Sequence, residues 1–146
     1  MRNLRRRRYE RGHALVEFPL AALALFAAIY GVIDFGRALY SFDIVASAAQ
    51  VGSRYASLHG STCSISGCPA TNATIQTYVQ SQMIGMIDPT QLTVTTTWST
   101  ATGCSGSPFQ GPRCIVKVVV SYPFVWELVY NKTLTMTSTS EMVIAQ

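Results

Sequence analysis

The sequence predicts an α+β protein: a long N-terminal helix, transmembrane in its first half, then a short second helix and a small antiparallel sheet. Three observations predict it. A 20-residue apolar segment follows a basic leader, helical periodicity continues well past that segment, and the C-terminal half holds runs of alternating Val, Thr and Ser. At 146 residues there is room for one modest domain beyond the helix. The expected division is a basic leader at 1–12, a transmembrane helix at 13–34, an extension of the same helix at 35–60, and an exported, disulfide-containing α+β domain at 61–146.

The net charge of +4 is unevenly placed. Arg2, Arg5, Arg6, Arg7, Arg8 and Arg11 all precede Gly12, opposed only by Glu10, so residues 13–146 carry a net −1. Basicity confined to a leader argues against a nucleic-acid surface. Ala14–Ile33 contains one charge, Glu17, and as a helix is about 30 Å long, the thickness of the hydrocarbon layer of a bilayer. Arginines on its N-terminal flank orient the chain with its N-terminus in the cytoplasm and its bulk outside.

Asp34-Phe-Gly-Arg37 marks the membrane exit, and helical patterning then runs on to about Leu58. Asp43, Ser47, Gln50, Arg54 and Ser57 form a polar stripe at steps of four and three. Opposite them stand Ala38, Ser41, Val45, Ala49, Gly52 and Ala56, a face of small or β-branched residues that lets another backbone come close. That face suits packing onto the chain's own domain or onto another subunit, and the pattern leaves both open. His59-Gly60 and the Cys63–Pro69 stretch end the helix.

A second helix is expected at about Ala70–Ile87, capped by Thr71 or Asn72, with Ile75, Tyr78, Val79, Met83 and Met86 on its apolar side. Asp88-Pro89 ends it. Strands are expected where Leu92, Val94, Thr96 and Trp98 alternate with threonines, at Ile115–Tyr122, and at Leu134–Ile144. Tyr122-Pro-Phe-Val-Trp126 reads as an apolar, aromatic turn. Trp98 and Trp126 read as core or bilayer-surface aromatics.

Cys63, Cys68, Cys104 and Cys114 all follow the span, an even number on the exported side, which points to disulfides. Of three connectivities, Cys63–Cys68 with Cys104–Cys114 closes two short Gly/Ser/Pro-rich loops, each bridge contributing about 2–3 kcal/mol. The C-x4-C and C-x9-C spacings fit no common zinc finger, and the absence of C-x-x-C argues against thiol–disulfide exchange. No G-x-S-x-G, H-E-x-x-H or phosphate loop is present, and His59 lacks a carboxylate or cysteine arrangement around it. No enzyme, cofactor, metal or small-molecule substrate is expected.

Glu17 is the most informative side chain. A charge at the centre of a transmembrane helix costs about 2.5–3.5 kcal/mol, and less near the end where Glu17 sits. Cleavage after Gly12 would create an α-amino group on His13, one helical turn away. The amine of one chain would then neutralise the glutamate of a staggered neighbour.

Gly12-His-Ala-Leu-Val-Glu17-Phe18 resembles the processing site of type IV pilin-like proteins: a basic leader, Gly, and Glu at the fifth mature position. Val32–Tyr40 and Ala48–Ala56 resemble the TadE-like pseudopilins of Tad (Flp) pilus systems, and Val118–Phe124 followed by a Thr/Ser-rich strand is similar to the end of that family. The resemblance is dense over 12–58 and thin over 61–113. It implies a pilin-like fold and removal of residues 1–12 by a prepilin peptidase. It also implies Glu17 guiding processing or assembly, and a minor component of the pilus machinery rather than its bulk subunit. Partners on this view are the lipid bilayer, the peptidase, other pilins and Tad assembly proteins. Two positions depart from the usual pattern: His13 as first mature residue, and Pro19 so soon after Glu17.

Two other classes compete. A secreted binding protein would need a signal-peptidase site at Ala22-Leu-Ala24 or Ala46-Ser-Ala48, the first leaving a very short apolar core and the second separated from it by Asp34, Arg37 and Asp43. A membrane-tethered thiol oxidoreductase would need a reactive cysteine.

Overall fold

The computed structural model describes residues 2–100, 102–104, 109–127 and 132–145, and over residues 2–15 the backbone path only. Helix α1 runs unbroken over Arg2–Leu58 and α2 over Asn72–Gln82. A 3-10 turn at Pro89–Gln91 leads into β1 (Thr93–Ser99), β2 (Ile115–Val125) and β3 (Thr133–Val143). The described strands form one antiparallel sheet in the order β1-β2-β3. This is the α+β architecture that the sequence predicts.

The second half of α1 lies along the sheet because its inward face is made of small residues. Ala38, Ser41, Val45, Ala49 and Ala56 are buried, joined by Ile44, Ala48 and Ser53. Gly52 is the closest approach. A Cβ there would meet Val118 Cγ1 and Val79 Cγ2, each at 3.0 Å, so only glycine leaves β2 and α2 both seated against the helix. The face predicted from spacing is therefore occupied by the chain's own sheet and second helix. Ser57 departs from its expected place in the polar stripe. It is buried because the chain after β3 returns over it, Ala145 N–H donating to the Ser57 carbonyl at 3.1 Å.

α2 begins with a capping box, in which the Thr71 hydroxyl accepts from Thr74 N–H and Thr74 Oγ1 accepts from Thr71 N–H. It buries Ile75 and Val79, with Met83 just beyond its end. It is shorter than the sequence predicts, stopping at Gln82, because Gly85 takes φ +84 and turns the chain away. Met86 is consequently exposed rather than part of an apolar helix face.

In the sheet, Val94 and Thr96 of β1 and Val116, Val118 and Val120 of β2 point inward, while Thr93, Thr95 and Thr97 point out. β2 continues through Pro123 to Val125, so the expected aromatic turn at Tyr122–Trp126 is mostly strand. β1 begins at Thr93 opposite Ser121, so from Tyr122 onward β2 has β3 as its sheet neighbour and proline is tolerated. Trp98 packs on the main core, and Trp126 packs edge-on to Phe124 with ring centroids 5.2 Å apart.

The cysteines pair as Cys63–Cys68 and Cys104–Cys114. Gln110 ties the two stapled loops together, its backbone carbonyl accepting from Ser61 N–H and its Nε2 donating to the Ala70 carbonyl.

Two expectations follow for the full chain in detergent. Gly52→Val forces two methyl groups against Val118 and Val79 and lowers unfolding free energy by about 2 kcal/mol or more, read from thermal or urea melts by circular dichroism. Replacing Cys104 and Cys114 together by Ala releases a ten-residue loop and costs about 2–3 kcal/mol in the same melts.

Candidate functional site

Among the described residues, Val16–Ile33 of α1 bury no side chain against the rest of the chain. Val16, Phe18, Leu20, Leu23, Leu25, Phe26, Ile29, Val32 and Ile33 are all exposed. The helix from Val16 to Leu58 contains a stretch of mean hydropathy 2.0 that is long enough to cross a membrane and is buried nowhere against the rest of the chain. Water would penalise such a surface at roughly 25 cal/mol per Å2, so it is built for lipid or for other apolar helices.

Glu17 lies exposed on this rod between Val16 and Phe18. Gly12 and His13 lie in the helical part whose side chains are outside the described residues; their backbone is continuous with that of Glu17. Pro19 sits inside the helix rather than at its start. With no N–H to donate one turn back, it marks the weakest point of the backbone ladder near Glu17.

Where the rod meets the domain, three charged side chains gather. Asp34 is buried, and Arg37, one turn on, donates to Asp34 Oδ1 at 3.4 Å. The same Arg37 Nη1 lies 2.8 Å from Glu127 Oε1, just after β2. Arg37 thus clips the end of the sheet to the helix at the level where the helix stops being apolar all round. Tyr30 and Ile33 complete a shallow recess of about 260 Å3 with these three charges. Above the clip, Ala38 closes over Phe124 and Met136 in a small apolar cluster. Sequence reasoning marked Asp34 and Arg37 as the membrane exit but did not single out Glu127. The available signal was that Glu127 is the sole charge between Lys117 and Lys132.

At the other end of the domain, His59 is packed among aromatic rings. Its ring stacks on Tyr55 at 3.9 Å, with Nδ1 2.9 Å from the Tyr55 carbonyl, and Tyr55 stacks in turn on Tyr78 at 4.2 Å. Among the described residues no group of three His, Cys, Asp or Glu side chains is arranged to hold a metal ion.

The geometry describes an anchoring helix whose upper half is welded to a small domain. A family model described as TadE-like protein matches residues 12–54, from Gly12 through the last turns of α1. Over those residues the chain is similar to TadE-like proteins. The match takes in Gly12, Glu17, the Asp34–Arg37 exit and most of the small-residue face, and ends before the second helix and the sheet. This similarity supports a general pilin or pilus-assembly-related role. No curated protein and no solved structure matches the chain.

The clip yields an ordered expectation. Glu127 is 75% exposed at its side chain, so Glu127→Gln costs under about 1 kcal/mol. Asp34 is 6% exposed, so Asp34→Ala takes a buried carboxylate from Arg37 and costs about 1–3 kcal/mol. Melts of the two variants in detergent that gave the reverse order would contradict the clip as described.

Proposed function

We propose that this TadE-like chain is a minor pseudopilin-type component of a Tad (Flp) pilus assembly. It is held in the cytoplasmic membrane by α1, with a cytoplasmic N-terminus and an exported C-terminal domain, and it loses residues 1–12 to a prepilin peptidase. The observation that carries this reading is the coincidence of the family match with the unpartnered rod. The match begins at Gly12, and from Val16 to Ile33 the helix exposes apolar side chains with Glu17 as its lone charge.

Other pilins and Tad assembly proteins are the partners on this reading. The inward face of α1 is consumed by the chain's own core, so partners are left the outward face, where Phe35, Leu39, Tyr40 and Phe42 remain exposed beyond the exit. The step at Gly12–His13 is amide hydrolysis: a water adds to the Gly12 carbonyl, the C–N bond breaks, and His13 leaves with a free amine. Proteases take extended substrate, so this helical stretch has to unwind locally. Glycine lowers that cost by about 0.5–1 kcal/mol relative to alanine.

The secreted alternative fares worse against the packing. Cleavage after Ala48 would remove Ala38, Ser41, Ile44 and Val45 from the core and leave the sheet without half of its helix.

Mass spectrometry of the protein from membranes is expected to find a mature chain beginning at His13, and Gly12→Leu is expected to retain the leader. Glu17→Ala is expected to be membrane-held but defective in processing or in pilus formation. A native chain still carrying its arginines, in cells with active peptidase, would refute the processing step.

A further inference from the structure

We propose that the end of the exported domain nearest the rod rests in the headgroup layer of the phospholipid bilayer, through Val125–Trp126 at the end of β2 and the Ile84–Met86 turn after α2. The proposal rests on the membrane-anchoring reading above and adds a second, peripheral contact to it.

Height along α1 sets the argument. Ala14–Ile33 fills about 30 Å of hydrocarbon, and the headgroup layer adds roughly 5–7 Å on each side. Arg37 lies three residues past Asp34, about 4.5 Å further up at 1.5 Å per residue, and so falls within that layer. Glu127 Oε1 is 2.8 Å from Arg37 and shares its height, and Trp126 is its chain neighbour. Met86 and Val125 line one recess together with Arg37 and Tyr40, which puts the Ile84–Met86 turn at the same end of the domain.

The chemistry at that end suits lipid headgroups. Ile84 is 68% exposed, Met86 52% and Val125 41%, three apolar side chains open at this end of the domain. Trp126 is half-buried with one edge against Phe124, the placement in which an indole bridges apolar and wet surroundings. The described charges beside it, Asp34, Arg37, Glu127 and Lys132, sum to zero. That suits a zwitterionic surface and needs no anionic lipid. The opposite end carries the two disulfide loops and their serines and threonines.

The sheet stands along the rod, which makes the test sharp. Ala38 packs against Phe124, and Gly52 faces Val118. Fourteen helical residues and six strand residues both span about 20 Å, so β2 runs alongside α1 in the opposite direction. Trp98, paired with Val116, therefore sits about 30 Å farther from the membrane than Trp126.

The full-length chain is reconstituted in phosphatidylcholine vesicles with or without acyl chains brominated near the headgroup, and tryptophan emission is compared. The wild type is expected to lose roughly half of its emission, since one of its two tryptophans lies at the layer, and Trp126→Phe almost none. A third protein, Phe26→Trp in the Trp126→Phe background, reports on the rod and is expected to be quenched. If the rod reporter is quenched while wild type and Trp126→Phe respond alike, the anchor stands and the docking is overturned. If the rod reporter escapes quenching, the anchoring reading falls and the docking with it.

Discussion

One helix has to satisfy two solvents in succession without breaking its hydrogen-bond ladder. From Val16 to Ile33 α1 turns apolar side chains outward, Glu17 apart; beyond Asp34, one side must accept a sheet and a second helix. Because the helix continues unbroken to Leu58, the inward stripe is fixed in rotation from its first member. Asp34, Ala38, Ser41, Val45, Ala48, Gly52 and Ala56 recur at steps of three and four, and their small size sets the distance at which the sheet can sit. Enlarging any of them moves the domain away from the rod.

The Arg37 clip follows from the same constraint. Where the helix changes role, a buried carboxylate on α1 and an exposed one after β2 share a single guanidinium. Neither bond is strong alone, the outer one being largely screened by water. Their value is positional: Arg37 Nη1, within reach of both carboxylates, holds the foot of the sheet against the helix. At the far end, the same welding is done by covalent staples and by Gln110 bridging their loops.

Much of this was legible in the sequence, because it depends on local periodicity. The end of α1 at Leu58, the small-residue face, the alternation through Val94, Thr96 and Trp98, and the Thr71 cap are all decided by residues within a few positions of one another. What escaped depends on distant partners. Ser57 looked solvent-facing until the chain beyond β3 covered it, and Ser53 is buried against Ser140, their hydroxyls 2.8 Å apart across 87 positions. Pro123 looked like a turn because sequence does not reveal where β1 stops beside β2. Glu127 gained meaning only once β2 delivered it to Arg37.

The division of surface on α1 constrains what the helix can do for other molecules. A rod that offered its small-residue face to neighbouring subunits would pack closely with them, but here that face is spent internally. What remains past Asp34 is Phe35, Leu39, Tyr40 and Phe42, large side chains that hold a neighbouring backbone farther off than alanine or glycine would. From Val16 to Ile33 no described side chain is buried, so close helix contacts are left to this apolar segment, where Ala21, Ala22, Ala24, Ala27, Ala28 and Gly31 supply the small residues. Glu17 falls in that same segment, so its charge lies where other helices can come nearest.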